Sequence, residues 1–425
     1  MNFANNRQHS VKRILIVSGN YPPHIVGGGE ISTKIMAESF ASDGAAVRVV
    51  TCADTESIRT DNGVTIDTVR SPNIYWRLSP SIDWRFMPPW RSQLKRVTWH
   101  ILDNYNPRSR RVLMKKMQEF KPDIVVTGIL ENFGTSAWLA AKRLNIPVVN
   151  IIHGYYLQCI TASRFRNYRH CETRCMRCRL ATAGKKFNSK YVDGVIGVSR
   201  YVLNAHVSEG YFSNARQICI YNPVEHRVEQ PRTAPKAKRL TFGFLGKMHS
   251  IKGIEELIRG FSSGRVNGRL IVAGDGDRSF EARLRAIADP AFVEFIGWVD
   301  PMVLFNQIDY LIYPSVLNEP FGRGTIEAMS QGIPVLGARR GGIPEVIEHG
   351  RNGFLYDPMI AGDLETAVES ARAADYAELS RNALTTSKSY SKTVIMKQYT
   401  DFLNTVVSEH GCTKNMAAPS VATSV

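Results

Sequence analysis

Short apolar runs alternate with helical patterns from one end of the chain to the other. No other feature restricts the fold as much. Runs at 11–18 (VKRILIVS), 46–52 (AVRVVTC), 123–128 (DIVVTG), 147–152 (PVVNII) and 194–198 (GVIGV) read as strands. Between the first two, Ile31, Ile35, Met36 and Phe40 share one face of a helix over Glu30–Ser42. A second helix is predicted over 133–144. Near-continuous apolar runs suit strands covered on both faces, so the alternation predicts parallel sheets sandwiched by helices.

The alternation breaks once. Residues 224–239, VEHRVEQPRTAPKAKR, are polar, carry two prolines and have no period, so they read as a linker. Strand patterns then resume at 239–246, 269–274, 292–297, 310–314 and 333–338. The last helical pattern, 392–409, carries Val394, Met396, Tyr399, Phe402, Leu403 and Val406. Residues 410–425 are small and polar and read as a disordered tail. A chain of 425 residues, 44% hydrophobic, can bury two cores, which excludes a disordered or disulfide-stapled protein. The expected organisation is one domain over 1–223, the linker 224–239, a second domain over 240–391, and a final helix 392–409. Two doubly wound α/β domains of this kind face each other across a cleft.

Chemistry concentrates at 318–358. Glu319 and Glu327 flank seven residues that include Phe321, Gly322, Arg323, Gly324 and Thr325. A strand, a glycine loop and a helix start together favour an anion, because free N–H groups and the helix dipole converge there. Carboxylates at both ends suit a ligand with a diphosphate centre and hydroxylated sugars on either side. Gly332, Pro334 and Val335 follow, then Gly341, Gly342 and Glu345. A second block, 244–261 (FLGKMHSIKGIEELIRGF), sets Lys247 and Lys252–Gly253 ahead of a helix. A third, 18–30 (SGNYPPHIVGGGE), places Gly28 and Gly29 after the first strand, where backbone can approach a ligand closely. His153 ends the strand PVVNII, at the carboxyl edge that faces a cleft. A G-x-G-x-x-G fingerprint is absent, which argues against a dehydrogenase.

In these motifs the chain resembles the retaining GT-B glycosyltransferases of family 4, the group 1 glycosyl transferases. Their signature is two glutamates separated by seven residues, then G-x-P-V and G-G-x-x-E. The resemblance implies that Glu319 meets the hydroxyls of the donor sugar and Glu327 the nucleoside ribose. It places backbone groups at Phe321, Gly322 and Thr325 beside the donor phosphates, and Lys247 and Lys252 on the diphosphate. It sets His153 near the transferred sugar and Gly28 and Gly29 at the donor across the cleft. The family's usual residue at Lys247 is arginine; lysine keeps the charge and loses the planar fork. Fixed cations there lower the barrier directly, because a leaving diphosphate gains charge in the transition state. The implied reaction is sugar transfer from a nucleotide-diphosphate sugar to a glycan with retention of configuration. No cofactor is expected for catalysis. Asp275-Gly-Asp277 looks like a D-x-D metal motif, but it joins strand to helix where the family has a glycine loop, so no catalytic metal is assigned to it.

The net charge of +16 lies in two stretches. Residues 73–117 carry ten Lys/Arg against Asp83 and Asp103; 159–190 carry nine against Glu172. The first stretch also holds Trp76, Trp84, Trp90 and Trp99. Aromatic rings among arginines suit a lipid headgroup region, stacking on single-stranded nucleic acid, or an insertion packed on its own domain. With the family resemblance this favours a lipid-linked glycan acceptor and an anionic membrane partner over nucleic acid. The N-terminus has no apolar signal segment and no run spans a bilayer, so the expectation is a cytoplasmic protein, peripheral on the inner face of the plasma membrane. It would serve polysaccharide or glycoconjugate synthesis. A small soluble acceptor and a non-enzymatic, basic, zinc-containing nucleic-acid module are the competing readings.

Cys159, Cys171, Cys175 and Cys178 fall within twenty residues, separated by eleven, three and two. Four thiolates can close a tetrahedral zinc site and pin a loop poor in apolar residues. The expectation is a structural zinc or another thiophilic metal, with free thiols, an iron–sulfur cluster and disulfides as alternatives.

Overall fold

The structure, a computed structural model, describes residues 11–75, 89–166, 169–225, 228–235 and 239–417. Strands of the first half are β1 (Arg13–Val17), β2 (Ala46–Ala53), β3 (Ser57–Asp61), β4 (Val64–Arg70), β5 (Ile124–Thr127), β6 (Val148–Ile152), the short hairpin β7 (Phe165–Arg166) and β8 (Arg169–His170), β9 (Gly194–Gly197) and β10 (Arg216–Cys219). All but the hairpin join one sheet in the order β10-β9-β6-β5-β1-β2-β4-β3. Its pairs are parallel except β3 against β4. Helices α1 (Gly28–Ser42), α2 (Pro89–Asn104), α3 (Pro107–Phe120), α4 (Ser136–Arg143), α5 (Met176–Ala181), α6 (Ala183–Asn188) and α7 (Arg200–Val207) connect them.

The second half forms a fully parallel sheet, β13-β12-β11-β14-β15-β16. Its strands are β11 (Thr241–Leu245), β12 (Arg269–Ala273), β13 (Val293–Gly297), β14 (Tyr310–Tyr313), β15 (Val335–Ala338) and β16 (Gly353–Tyr356). Around it lie α8 (Ile254–Ser262), α9 (Arg278–Ile287), α10 (Pro301–Phe305), α11 (Arg323–Met329), α12 (Asp363–Ala373) and α13 (Tyr376–Lys388). This is the GT-B arrangement, two parallel-sheet domains facing each other. The strand order reverses between β1 and β5 in one sheet and between β11 and β14 in the other. Ligands bind outside the carboxyl ends of strands at such switch points, and the motif loops 18–27, 246–253 and 314–322 emerge there.

Strands β3, β4 and β10 carry no clear apolar signal, and β16 (GFLY), though apolar, is not among the expected strands. The β4 sequence VTIDTVR includes Asp67, whose buried carboxylate is met by Lys116 Nζ at 2.9 Å. The linker is held against the second domain. Arg232 donates to Ile308 O at 2.7 Å, Phe305 O at 2.8 Å and Gln331 O at 3.2 Å. The last helix, α14 (Lys392–Ala417), returns to the first domain, where Phe402 and Val406 lie against Gly194 and Asn404 Oδ1 accepts from Val11 N at 2.9 Å.

Two sequence expectations are corrected. The final helix does not stop at 409 with a tail from 410. It continues to Ala417, and His410 Nδ1 lies 3.2 Å from Asp193 Oδ1, which anchors the added turns; residues 418–425 lie outside the described residues. Trp99 is not an exposed interface ring. It is buried on α2, between Tyr75 and His100. Trp76 and Trp84, and the side chain of Trp90, lie outside the described residues.

The two domains are fastened by Glu345. Its Oε2 accepts from Arg200 N at 2.8 Å and its Oε1 from Tyr201 N at 2.7 Å. These are orphan amides at the start of α7, so a carboxylate of the second domain caps a helix of the first. Tyr221 Oη donates to the same carboxylate at 3.1 Å. Charge-assisted bonds of this kind contribute about 1.5–3 kcal/mol. Glu345→Ala is therefore expected to lower the thermal unfolding midpoint, with Glu345→Gln recovering part of the loss. Calorimetric melts of the three proteins check this; equal midpoints would contradict the role.

Candidate active site

Gly28, Gly29, His153, Lys247, Lys252 and Glu327 meet in two adjoining cavities. One, of about 510 Å³, is lined by Gly28 and Ile31 of the first domain and by Lys247, Lys252, Asp275, Trp298, Tyr313, Arg323, Gly324 and Glu327 of the second. The other, of about 390 Å³, is lined by Gly28, Gly29, Glu30, Glu131, Asn150, His153, Tyr155 and Tyr156, all of the first domain. Gly27 and Gly28 belong to both walls, so the glycine triplet is the sill between them. At Gly28 and Gly29 a side chain would be tightly placed, whereas Gly27 has open space around it. A Cβ on Gly28 would come within 3.2 Å of Arg323 Cδ, and one on Gly29 within 3.3 Å of Ile129 Cδ1.

The cations behave differently. Lys252 Nζ is bound by Glu319 Oε1 at 2.6 Å, and Ser315 Oγ donates to the same oxygen at 2.7 Å. Burial opposes charge on Lys252, but Glu319 and Tyr313 outweigh it and hold the ammonium above its ordinary pKa. Lys247 is exposed at the cavity rim and has no ion-pair partner among the described residues. Gly253, at φ +67°, lets the chain turn from Lys252 into α8; a Cβ there would strike Pro314 O at 2.0 Å.

Glu327 is held by Arg323, whose Nε donates to Oε1 at 2.5 Å while its Nη1 donates to Ser32 Oγ at 2.9 Å. Arg323 thus ties Glu327 to α1 across the domain boundary. Gly322 adopts φ +86° at the start of α11. Glu319, Phe321, Gly322 and Thr325 line neither cavity: Glu319 is buried in its pair with Lys252, Phe321 is buried against Tyr221 and Tyr390, and Thr325 donates from both its amide and its hydroxyl to Gly322 O at 2.9 and 2.6 Å. The carboxylates of the D-x-D segment are divided. Asp277 caps α9, accepting from Ser279 N at 2.9 Å, while Asp275 faces the cavity.

His153 forms the floor of the smaller cavity beside Gly29 and Gly128. Burial depresses its pKa to about 4, so the imidazole is neutral at neutral pH, and its Nε2 has no hydrogen-bond partner among the described residues. Two carboxylates face the same space. Glu30 Oε2 accepts from Gly27 N at 3.0 Å, and burial, reinforced by Glu131, lifts its pKa to about 6. Glu30 and Glu131 are the site residues that sequence reasoning missed. Glu30 ended the GGGE segment; Glu131 carried no motif.

Two of the four cysteines pair beside this cavity. Cys159 and Cys178 are buried with sulfurs 3.8 Å apart, Cys171 is half-buried and Cys175 exposed. Arg164 organises their loop, donating to Cys171 O at 2.9 Å and to Glu172 O at 2.6 Å. Thiolates on a tetrahedral zinc, at about 2.3 Å from the metal, stand about 3.8 Å apart, so this pair fits one edge of such a site. Among the described residues no group of three or more His, Cys, Asp or Glu side chains is placed to hold a metal ion.

Comparison with known proteins agrees with this geometry. The model of the glycosyl transferase 4-like domain matches residues 27–223, and that of glycosyl transferases group 1 matches 239–372. An uncharacterised 42.6 kDa protein from the cps region of Klebsiella pneumoniae is 31% identical over 339 residues, covering 78% of this chain and 87% of that one. A GDP-mannose-dependent alpha-mannosyltransferase of Corynebacterium glutamicum is 23% identical over 249 residues, 57% of each chain. Among solved structures, sucrose-phosphate synthase from Thermosynechococcus elongatus aligns with a TM-score of 0.70 at 18% identity, over 94% of this chain and 100% of that one. Anabaena HepE in complex with UDP aligns at 0.65 and 18%, over 93% and 100%. The fold and site define a GT-B transferase. The chain belongs to the glycosyl transferases group 1, of the family 4 type, and is a glycosyltransferase.

The contrast between the two lysines is testable without substrate. Removing Lys252 leaves the buried Glu319 carboxylate without its cation, and breaking such a pair costs about 3–5 kcal/mol. Lys252→Ala is expected to lower the melting temperature of the ligand-free protein and Lys247→Ala to leave it unchanged. Equal melting temperatures for both variants would refute the structural half of the assignment.

Proposed function

We propose that the protein is a retaining transferase that moves a hexose from a nucleotide-diphosphate sugar to a growing glycan, held on a lipid carrier at the cytoplasmic face of a membrane. The observation that carries the reading is the pair of cavities joined over Gly27–Gly28, one rich in cations and the other holding a neutral histidine and two carboxylates. The larger cavity suits the donor. Lys247 and Lys252 would hold the diphosphate, Glu327 the ribose, and Glu319 a sugar hydroxyl; the solved relative HepE holds UDP.

In the proposed step the anomeric C–O bond breaks and the diphosphate leaves with its electron pair. The acceptor hydroxyl forms the new bond from the same face, and its proton passes to a phosphate oxygen of the leaving group. His153, neutral and with Nε2 unengaged, would bond a hydroxyl of the transferred sugar without adding charge. The acceptor and membrane parts of the reading rest on the two cationic stretches. No helix of the described residues is long and apolar enough to cross a membrane. The Cys159–Cys178 edge supports a structural zinc or similar metal, which would pin the loop that borders the acceptor cavity. No catalytic step requires it.

Two measurements test this. Losing a charge-assisted contact costs about 1.5–3 kcal/mol, so Glu327→Ala and Lys247→Ala should each weaken binding of UDP or GDP by about one to two decades in calorimetry. Lys247→Arg should retain it. Product NMR should show the donor's anomeric configuration; inversion would exclude the retaining step. For the cysteines, elemental analysis of protein purified without chelator should find about one thiophilic metal per chain, as four cysteine ligands imply. Cys175→Ser/Cys178→Ser should release it. Metal-free wild-type protein would leave a plain thiol cluster.

A further inference from the structure

The two cationic stretches lie far apart in sequence and meet in the fold. The end of α2 seats on the junction of α5 and α6. Asn104 Nδ2 donates to Ala181 O at 2.7 Å, and its Oδ1 accepts from Lys185 N at 3.1 Å. The approach is close: a Cβ on Gly184 would lie 2.9 Å from Asn104 Oδ1. Beneath this contact Lys185 Nζ meets Asp103 Oδ2 at 2.8 Å, both side chains buried. Asp103 is the sole acid in the sequences of α2, α5 and α6. Its burial leaves the outer surface of these helices with no acid.

That outer surface is apolar where it should be polar. On α2, Trp99 and Asp103 are buried one turn apart, whereas Leu94, Val97 and Ile101 recur at helical spacing on the opposite side and are each more than half exposed. On α5, Cys178 is buried while Met176 and Leu180 are exposed; on α6, Lys185 and Asn188 are buried while Phe187 is exposed. Lys190 Nζ stands 3.7 Å from the centre of the Phe187 ring. Lys95, Arg177, Arg179 and Lys186 are exposed on the same three helices. Amphipathic surfaces with apolar side chains among cations lie in the headgroup boundary of anionic membranes. A second copy of the chain fits less well, because it would press one cationic face against another.

We propose that α2, α5 and α6 together form the docking face of this protein for an anionic lipid bilayer. The inference rests on the peripheral-membrane part of the function proposed above and names the surface responsible. It holds the cleft of the first domain beside the lipid, since Asp103 also bonds Tyr156 of the smaller cavity.

The test is co-sedimentation of the full chain with phosphatidylcholine vesicles, with and without phosphatidylglycerol, at low and high salt. Wild type is expected to bind only the anionic vesicles and to release them in salt. Leu94→Ser/Ile101→Ser/Leu180→Ser/Phe187→Ser, and separately Lys95→Glu/Arg177→Glu, should each weaken binding on the order of tenfold or more. Their melting temperatures should not change. Met359→Ser/Ile360→Ser, which removes exposed apolar side chains from the other domain, should bind as wild type does. If wild type ignores anionic vesicles, the peripheral-membrane reading itself fails. If wild type binds and both face variants bind equally well, only the assignment of this face falls. A wild-type dimer in light scattering that the apolar variant converts to monomer would also overturn it, by making the face a contact between two copies.

Discussion

A carboxylate of one domain that caps a helix of the other is the contact on which the rest of the site depends. Glu345 takes the first two amides of α7, and around it Tyr155 Oη donates to Asn318 O at 2.8 Å and Asn318 Nδ2 to Tyr201 Oη at 2.7 Å. Neither sheet alone contains the candidate site. Each sheet supplies a switch point with loops at its carboxyl edge, and the interdomain bonds turn those two edges toward each other. Without that orientation the cations of the second domain and the histidine of the first would belong to separate surfaces. The glycine triplet serves as a shared wall where the approach is close, with Gly28 against Arg323 and Gly29 against Ile129 and His153.

The electrostatics of the larger cavity follow from the same closeness. Lys252 is enclosed and compensated by Glu319, so its charge is fixed in place before any ligand arrives. Lys247 is solvated and unpaired among the described residues, free to change its rotamer. A preorganised cation and an adaptable one address different demands: the first orients without reorganisation, while the second follows charge as it develops. Arg323 adds a third element. By bridging Ser32 and Glu327 it makes the position of the carboxylate depend on the relation between domains, so that contact at α1 and binding at Glu327 are mechanically linked.

Much of this was legible in the sequence, and the remainder was not for identifiable reasons. Strands with continuous apolar runs, such as VVNII and RLIVA, announce themselves because both faces are covered. Strand β4 hides because Asp67 sits inside it, tolerated through Arg48 of β2 and Lys116, a residue about fifty positions away. The glutamate pair, Lys252–Gly253 and the glycine triplet were visible as motifs through the family resemblance; among them backbone geometry restricts Gly253, at φ +67°. Glu131 was invisible, because a lone glutamate after a strand has no local signature. Trp99 misled in the opposite direction. Its composition matched an interfacial belt, but which face of a helix turns inward is decided by what packs on it, here Tyr75 and the Asp103–Lys185 pair one turn along.

The distribution of charge separates what this chain shares with its fold from what is its own. Outside 73–117 and 159–190 the basic and acidic residues balance. The balanced part contains both parallel sheets, the crossing helix and every residue lining the larger cavity. The excess lies instead in the segments that leave the first sheet, between β4 and β5 and between β6 and β9, and pack on each other. A parallel α/β scaffold needs no such charge for stability, since a concentrated positive field opposes compaction. Lys116, Arg164 and Lys185 have structural partners, but the rest of the excess on segments that border the smaller cavity is a cost without structural return. That cost becomes intelligible if these segments decide where the enzyme sits and what it meets there, while the neutral scaffold carries the chemistry.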